Sequence, residues 1–254
     1  MIGRLLRQKD EPIHPHEGPV PPEPKKRGVG GRSGTLRAAV FGVNDGLVSN
    51  LSIIMGFTGA AVNNSVIVLA GVAGLLAGAF SMGAGEYVSM RVQRELFERL
   101  IHLEAHELAT EPEEERAELV GIYQRKGVPR EVAESLVDVI HKNPDLALET
   151  HAREELGLDP RGGLGSPWGA AISSFVTFSL GALVPLVPFL IGSGTAAHIA
   201  AIVASGLTLF LVGSLMSILT GKQPLRSGLR MLLIGATAAA VTYGVGSALH
   251  VSAG

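Results

Sequence analysis

The 254-residue chain has no cysteine, one tryptophan and only 5% aromatic residues. Without thiols it can form neither disulfides nor thiolate metal sites, and cysteine usage gives no reading of its redox compartment. Charge is scarce as well, at 17%. The formal net charge of −2 hides a strong segregation along the chain. Five stretches, roughly 38–63, 65–90, 168–193, 196–220 and 230–250, are nearly free of charged side chains. Each approaches or exceeds the ~20 residues that a helix needs to cross about 30 Å of hydrocarbon. They are dense in Gly, Ala, Val, Leu and Ile, and glycine is commoner in membrane helices than in soluble ones. A soluble α/β enzyme has shorter apolar runs broken by charge. The expected fold is therefore all-α: a polytopic membrane protein with five transmembrane helices.

The N-terminus, MIGRLLRQKD, is charged and shows no apolar core of a cleavable signal. Residues 8–34 are rich in Pro, Gly, Glu and Lys, so residues 1–34 are expected to form a disordered tail, with His14 and His16 solvated. Positive charge then sets the topology. Of the 21 Lys and Arg residues, eight lie at or before Arg37, ten between Arg91 and Arg161, and three at Lys222, Arg226 and Arg230. With five spans all of them fall on one side, which the positive-inside rule makes cytoplasmic. Spans one and two then occupy 35–90, a cytoplasmic segment 91–165, and spans three to five 166–254.

The segment from Arg91 to Arg161 carries 17 acidic and ten basic residues. No Pro or Gly occurs from Glu86 to Ala109, and Val88, Val92, Leu96, Leu100 and Leu103 keep a helical period. The second span should run on for about 20 residues, or ~30 Å, beyond the membrane. Thr110-Glu111-Pro112-Glu113 reads as a capping box opening a second helix that ends near Gly127. Val128-Pro129 opens a third, interrupted at Asn143-Pro144 and closed by Gly157. Glu104 and Glu107, Glu115 and Glu118, and His151 and Glu155 are spaced to share a face on each helix. Carboxylate and imidazole are the usual ligands of iron, manganese and zinc, so three such faces could hold divalent cations. The same spacing also fits solvated glutamate-rich helices.

Asp45 stands inside the first span, where a carboxylate at a helix centre costs about 2.5–3.5 kcal/mol to insert. It lies eight residues past Arg37, and Met82 lies nine residues before Arg91. If both arginines mark the interface, Asp45 and Met82 sit at similar depth, about 12–14 Å in. A carboxylate with a thioether suits a borderline cation and disfavours hard ones such as Mg2+. Asn44, Ser49 and Asn50 add polar groups, and Glu86 a second acid near Met82. Gly42-x-x-x-Gly46 and Gly74-x-x-x-Gly78 would allow close helix approach. Met82 is equally readable as core filling.

Three segments, Phe41-Gly-Val-Asn-Asp-Gly-Leu-Val-Ser-Asn50, Ser81-Met-Gly-Ala-Gly-Glu-Tyr-Val-Ser89 and His151-Ala-Arg-Glu-Glu-Leu-Gly-Leu158, resemble the vacuolar iron transporter family. The resemblance runs in order over about residues 35–250. It implies a homodimer of five-span subunits with a cytoplasmic metal-binding domain between helices two and three. It implies no enzyme, no permanent cofactor and no nucleic-acid partner. The expected cargo is Fe2+, with Mn2+ or other divalents, carried out of the cytoplasm in exchange for protons across a bacterial inner membrane or a vacuole-type membrane. By the resemblance Asp45 and Met82 match the transmembrane path, with Asn44 and Glu86 beside them. Glu104, Glu107, Glu115, Glu118 and Glu155 match the metal-binding glutamates. Eukaryotic members often carry two methionines where this chain has His151 and Ala152. Two rivals remain: a metal-sensing membrane protein without transport, and a di-iron carboxylate oxidase. The Glu-x-x-His pairs of the latter do not occur in 91–160.

Overall fold

The computed structural model describes residues 29–159, 165–219 and 221–249, and among them every regular element is a helix. Residues 1–28 of the expected tail lie outside that range, and α1 (Val29–Gly59) begins six residues before residue 35. The remaining elements are α2 (Asn64–Thr110), α3 (Pro112–Arg125), α4 (Arg130–His141), α5 (Pro144–Glu154), α6 (Pro167–Ile191), α7 (Gly194–Leu219) and α8 (Pro224–Leu249). Five of them, α1, α2, α6, α7 and α8, contain stretches long and apolar enough to cross a membrane.

The helix ends follow local chemistry. Asn63 caps α2 by accepting from the Val66 amide at 3.1 Å, Asn143 caps α5, and Ser166 caps α6. Pro112, Pro144 and Pro167 each sit in a first turn, where a missing N–H is harmless. Gly127 (φ 91°) and Gly157 (φ 66°) close the helices before them in a conformation that favours glycine. One local expectation fails. Glu111, not Thr110, is the N-cap of α3 and makes no side-chain cap; the Thr110 hydroxyl instead donates back to the His106 carbonyl at 2.9 Å. The unbroken α2 holds Thr110 inside its last turn, so its side chain cannot serve the next helix.

The membrane bundle is organised around α1, which packs against α6, α8 and α2. Close approach depends on glycine. A Cβ at Gly42 or Gly46 would collide with α6 at Ser174, Thr177 and Phe178, and one at Gly181 would collide with the Val43 carbonyl of α1. The Gly42/Gly46 pair expected to permit contact therefore does so, and its partner is α6. Asn50 is fully buried and donates to the Ala182 carbonyl at 2.7 Å, tying the same two helices. Asn64 does the same from α2, donating to Phe189 at 3.1 Å. Ala38, Met90 and Ala170 pack together, and the Ser173 hydroxyl donates to the Thr35 carbonyl, so the start of α1, the membrane exit of α2 and the start of α6 share one end.

Between α2 and α6, helices α3–α5 form a unit with its own core of Leu119, Val120, Ile122, Ala133, Val137, Ile140 and Ala147. Glycine contact in the bundle generates a direct test. Gly46→Leu should lower the melting temperature of the detergent-solubilised protein by several degrees, since overpacking against backbone costs about 1–3 kcal/mol. Gly85→Ala, with nothing within 4 Å of the added carbon, should leave it unchanged or slightly higher. Equal melting for the Leu variant and the parent would contradict the packing described.

Candidate metal cluster and membrane path

Glu104 comes from the part of α2 that has left the apolar bundle, Glu115 from the first turn of α3, and His151 and Glu155 from the end of α5. One ligand atom from each of the four lies within 4.8 Å of all the others. His151 Nδ1 is 3.1 Å from Glu104 Oε1, 3.3 Å from Glu115 Oε2 and 3.6 Å from Glu155 Oε2. Despite these distances, His151 Nδ1 and Glu104 Oε1 are buried without a properly directed hydrogen bond. His151 is 0% and Glu104 2% exposed.

The charge balance is as telling as the geometry. Nearby basic side chains are committed elsewhere: Lys126 to Glu154, Arg153 to Glu149 and Asp159, Arg116 to Asp138. Among the described residues no Lys or Arg pairs with Glu104, Glu115 or Glu155. Burial pushes Glu104 up to about 7, reinforced by the negative charges of Glu155, Glu115, Glu107 and Glu118. Glu115 and Glu155 move in the same direction, again first through burial and then through neighbouring glutamates. Burial, with His141 adding to it, lowers His151 to about 4, so its imidazole is neutral near pH 7 and supplies no compensating charge. Buried carboxylates without a counter-charge must hold protons or a cation. Three carboxylates and one imidazole suit Fe2+, Mn2+ or Zn2+.

Not every anticipated ligand joins them. Glu107 and Glu118 are exposed and contribute charge rather than a converging oxygen. Ala152 is fully buried beside His151, so no sulfur enters the site from that position. The reading of spacing alone missed His141, whose Nε2 lies 3.1 Å from His151 Nε2. Its one sequence signal is its position just ahead of the Asn143-Pro144 break, which turns α5 back against α4.

In the membrane, Arg37 lies 3.6 Å from Glu86, and the Asn50 amide oxygen lies beside Gly74. Between these two points of the antiparallel pair, Asp45 falls level with Ala79. Met82 is then within about 5 Å of that level, toward the Arg37 end. Arg91 lies beyond Glu86 and pairs with Glu95 on its own helix at 2.8 Å. Glu86, Met82 and Asp45 are thus staggered along the pair, with steps of about 6 and 5 Å. Glu86 and Asn44 each keep a buried oxygen with no hydrogen-bond partner. Met82 packs against the cluster formed by Ala79, Phe178 and Ala182.

Five helices long and apolar enough to cross a membrane, with an acid–imidazole cluster on an extension of the second, mark an integral membrane protein. The chain belongs to the VIT family, whose model matches residues 36–247. It is 34% identical over 212 residues to vacuolar iron transporter 1 of Arabidopsis thaliana, covering 82% of this chain and 83% of that protein. It is 36% identical over 228 residues to the vacuolar iron transporter of Toxoplasma gondii, covering 86% and 76%. The vacuolar iron transporter of Plasmodium falciparum is 30% identical over 227 residues, covering 84% and 82%. The protein is accordingly a membrane metal transporter and not an enzyme.

The shifted groups predict how stability varies with pH. Between pH 4.5 and about 7 the folded protein keeps a proton on Glu104 that the unfolded chain has lost, so rising pH costs stability there. Between about 4 and 6.5 the unfolded chain protonates His151 and the folded protein does not, so rising pH adds stability. The two offset each other up to about pH 6.5, and a net loss remains as pH climbs through 7. Metal-free protein in detergent should melt at a lower temperature at pH 8 than at pH 6.5, and saturating Mn2+ should close the gap. Glu104→Gln should flatten the difference. A metal-free melting temperature that rises over this range would refute the assignment.

Proposed function

We propose that the protein exports Fe2+, and also Mn2+, from the cytoplasm in exchange for protons. The observation that carries this reading is the convergence of Glu104, Glu115, His151 and Glu155, from three helices, on one point without a counter-charge. The cluster captures cytosolic cations. Asp45 is the exchange point, where an ion displaces a proton from a carboxylate inside the membrane. Met82 biases the path against hard cations through its thioether. Glu86 and Asn44 line the entrance, and their buried oxygens, which take no hydrogen bond, are available to an ion. The start of α1 and the α3–α5 unit lie on the cytoplasmic side, as the distribution of Lys and Arg supports.

A homodimer fits the surface of α2. Val88, Val92, Leu96 and Leu103 form an apolar row that stays exposed in the single chain. A second copy would cover it. The membrane is a bacterial inner membrane or a vacuole-type membrane, and iron is cargo rather than resident cofactor.

Reconstituted in proteoliposomes with a proton gradient, the parent should move Fe2+, while Asp45→Ala should reduce flux to the level of empty vesicles. Combined removal of Glu104 and Glu115 should weaken binding and raise the Fe2+ concentration needed for half-maximal flux while leaving the path open. Wild-type flux in the Asp45 variant would sink the exchange role. Tight metal binding without flux in the parent would favour a sensor.

A further inference from the structure

A buried imidazole ring has two nitrogens to satisfy, and in His151 they face different neighbours. Nδ1 looks toward Glu104, Glu115 and Glu155, while Nε2 lies 3.1 Å from Nε2 of His141, with the rings tilted at 57° and their centroids 5.3 Å apart. Each neutral imidazole carries one N–H and one lone pair. Two N–H groups cannot face each other at hydrogen-bond distance, and neither can two lone pairs. One of the two Nε2 atoms therefore donates to the other, and which one does so sets the tautomer of His151.

If His141 donates, His151 carries its proton on Nδ1. That N–H would be buried among the carboxylates and aligned with none of them, since Nδ1 has no directed hydrogen-bond partner. If His151 donates, Nδ1 is a bare lone pair aimed at the point where the carboxylate oxygens converge. Only the second arrangement leaves a nitrogen able to ligate a cation. Histidine ligands commonly have the tautomer and ring angle set by the partner of the other nitrogen.

We propose that His141 is a positioning residue for the cation site: it accepts the His151 Nε2–H and so presents His151 Nδ1, unprotonated, to the cation. His141 makes no contact with the ion. It acts from the last turn of α4. This gives a reason for the break at Asn143-Pro144, which folds α5 back until position 151 meets position 141. The inference rests on the cation-capture reading of the cluster and specifies how its one nitrogen ligand is prepared.

The test is Co2+ titration of the metal-depleted full chain in detergent, reading both affinity and the visible d–d bands, which respond to a nitrogen ligand. His141→Leu removes the acceptor and should weaken Co2+ binding about 10–100-fold, with bands moving toward those of His151→Ala. His141→Gln keeps an acceptor oxygen and should restore affinity to within a few-fold, with parental bands. Should the Leu variant fail to fold, His141→Arg, polar but donor-only, must show the same loss. A merely structural role would lower melting temperature while leaving the bands of every variant unchanged, and that result overturns the proposal. So does a Gln variant as weak as the Leu variant. If the parent shows no Co2+ binding that Glu104→Gln diminishes, the capture reading itself fails and this inference falls with it.

Discussion

The continuity of α2 is the constraint on which the rest of the structure depends. Inside a membrane every backbone N–H and C=O must be satisfied within the helix, and α2 keeps that pattern from Asn64 to Thr110 without interruption. Because no glycine or proline intervenes between Glu86 and Ala109, the helix leaves the bundle as a stiff strut. Met82, Glu86 and Glu104 are therefore carried by one rigid element. Along its axis Glu86 and Glu104 are about 27 Å apart. An ion held at the cluster cannot be handed to the membrane path by any side-chain movement within this helix. In the proposed function, capture and passage are therefore separate steps, joined through solvent.

Electrostatics gives the two places different characters. The cluster concentrates two buried carboxylates and the exposed Glu155 around a neutral imidazole, and the surrounding arginines and lysine are engaged with other acids. It is built to be incomplete without positive charge. The membrane path is sparser: one carboxylate deep in the bundle, a thioether a turn nearer the entrance, and Glu86 beside Arg37. Sparse ligation allows release, whereas a dense acid cluster favours retention. His151 and Ala152 sharpen the contrast. With imidazole in place of sulfur, the cluster's donor set suits borderline cations through nitrogen, and the one soft donor of the proposed path is Met82.

The glycines that bring α1 and α6 together have a related consequence. They let the backbones touch where Asn50 bonds to Ala182, so α1 is held along the length that carries Asn44 and Asp45. The polar groups of the proposed path are then supported by packing rather than by hydrogen bonds of their own. The oxygens of Asn44 and Glu86 that take no hydrogen bond are compatible with this division of labour.

Much of this was determined by the sequence alone. Apolar runs of membrane length, the long stretch of α2 free of helix breakers, and the Pro and Gly positions between helices are all local features. Local chemistry forms helices and ends them. The acidic faces were also visible, because i,i+3 and i,i+4 spacing is a property of a single helix. Which acids converge was decided only by tertiary structure. Glu104 and Glu115 enter the cluster while Glu107 and Glu118 stay outside it, because the angle between α2 and α3 selects one residue of each pair. The depth of Met82 relative to Asp45 also required the helix register, which the Arg37–Glu86 pair and the Asn50–Gly74 contact set. His141 was illegible for the same reason: its importance is a distance to His151 across a chain reversal, and no spacing rule encodes a contact between two helices.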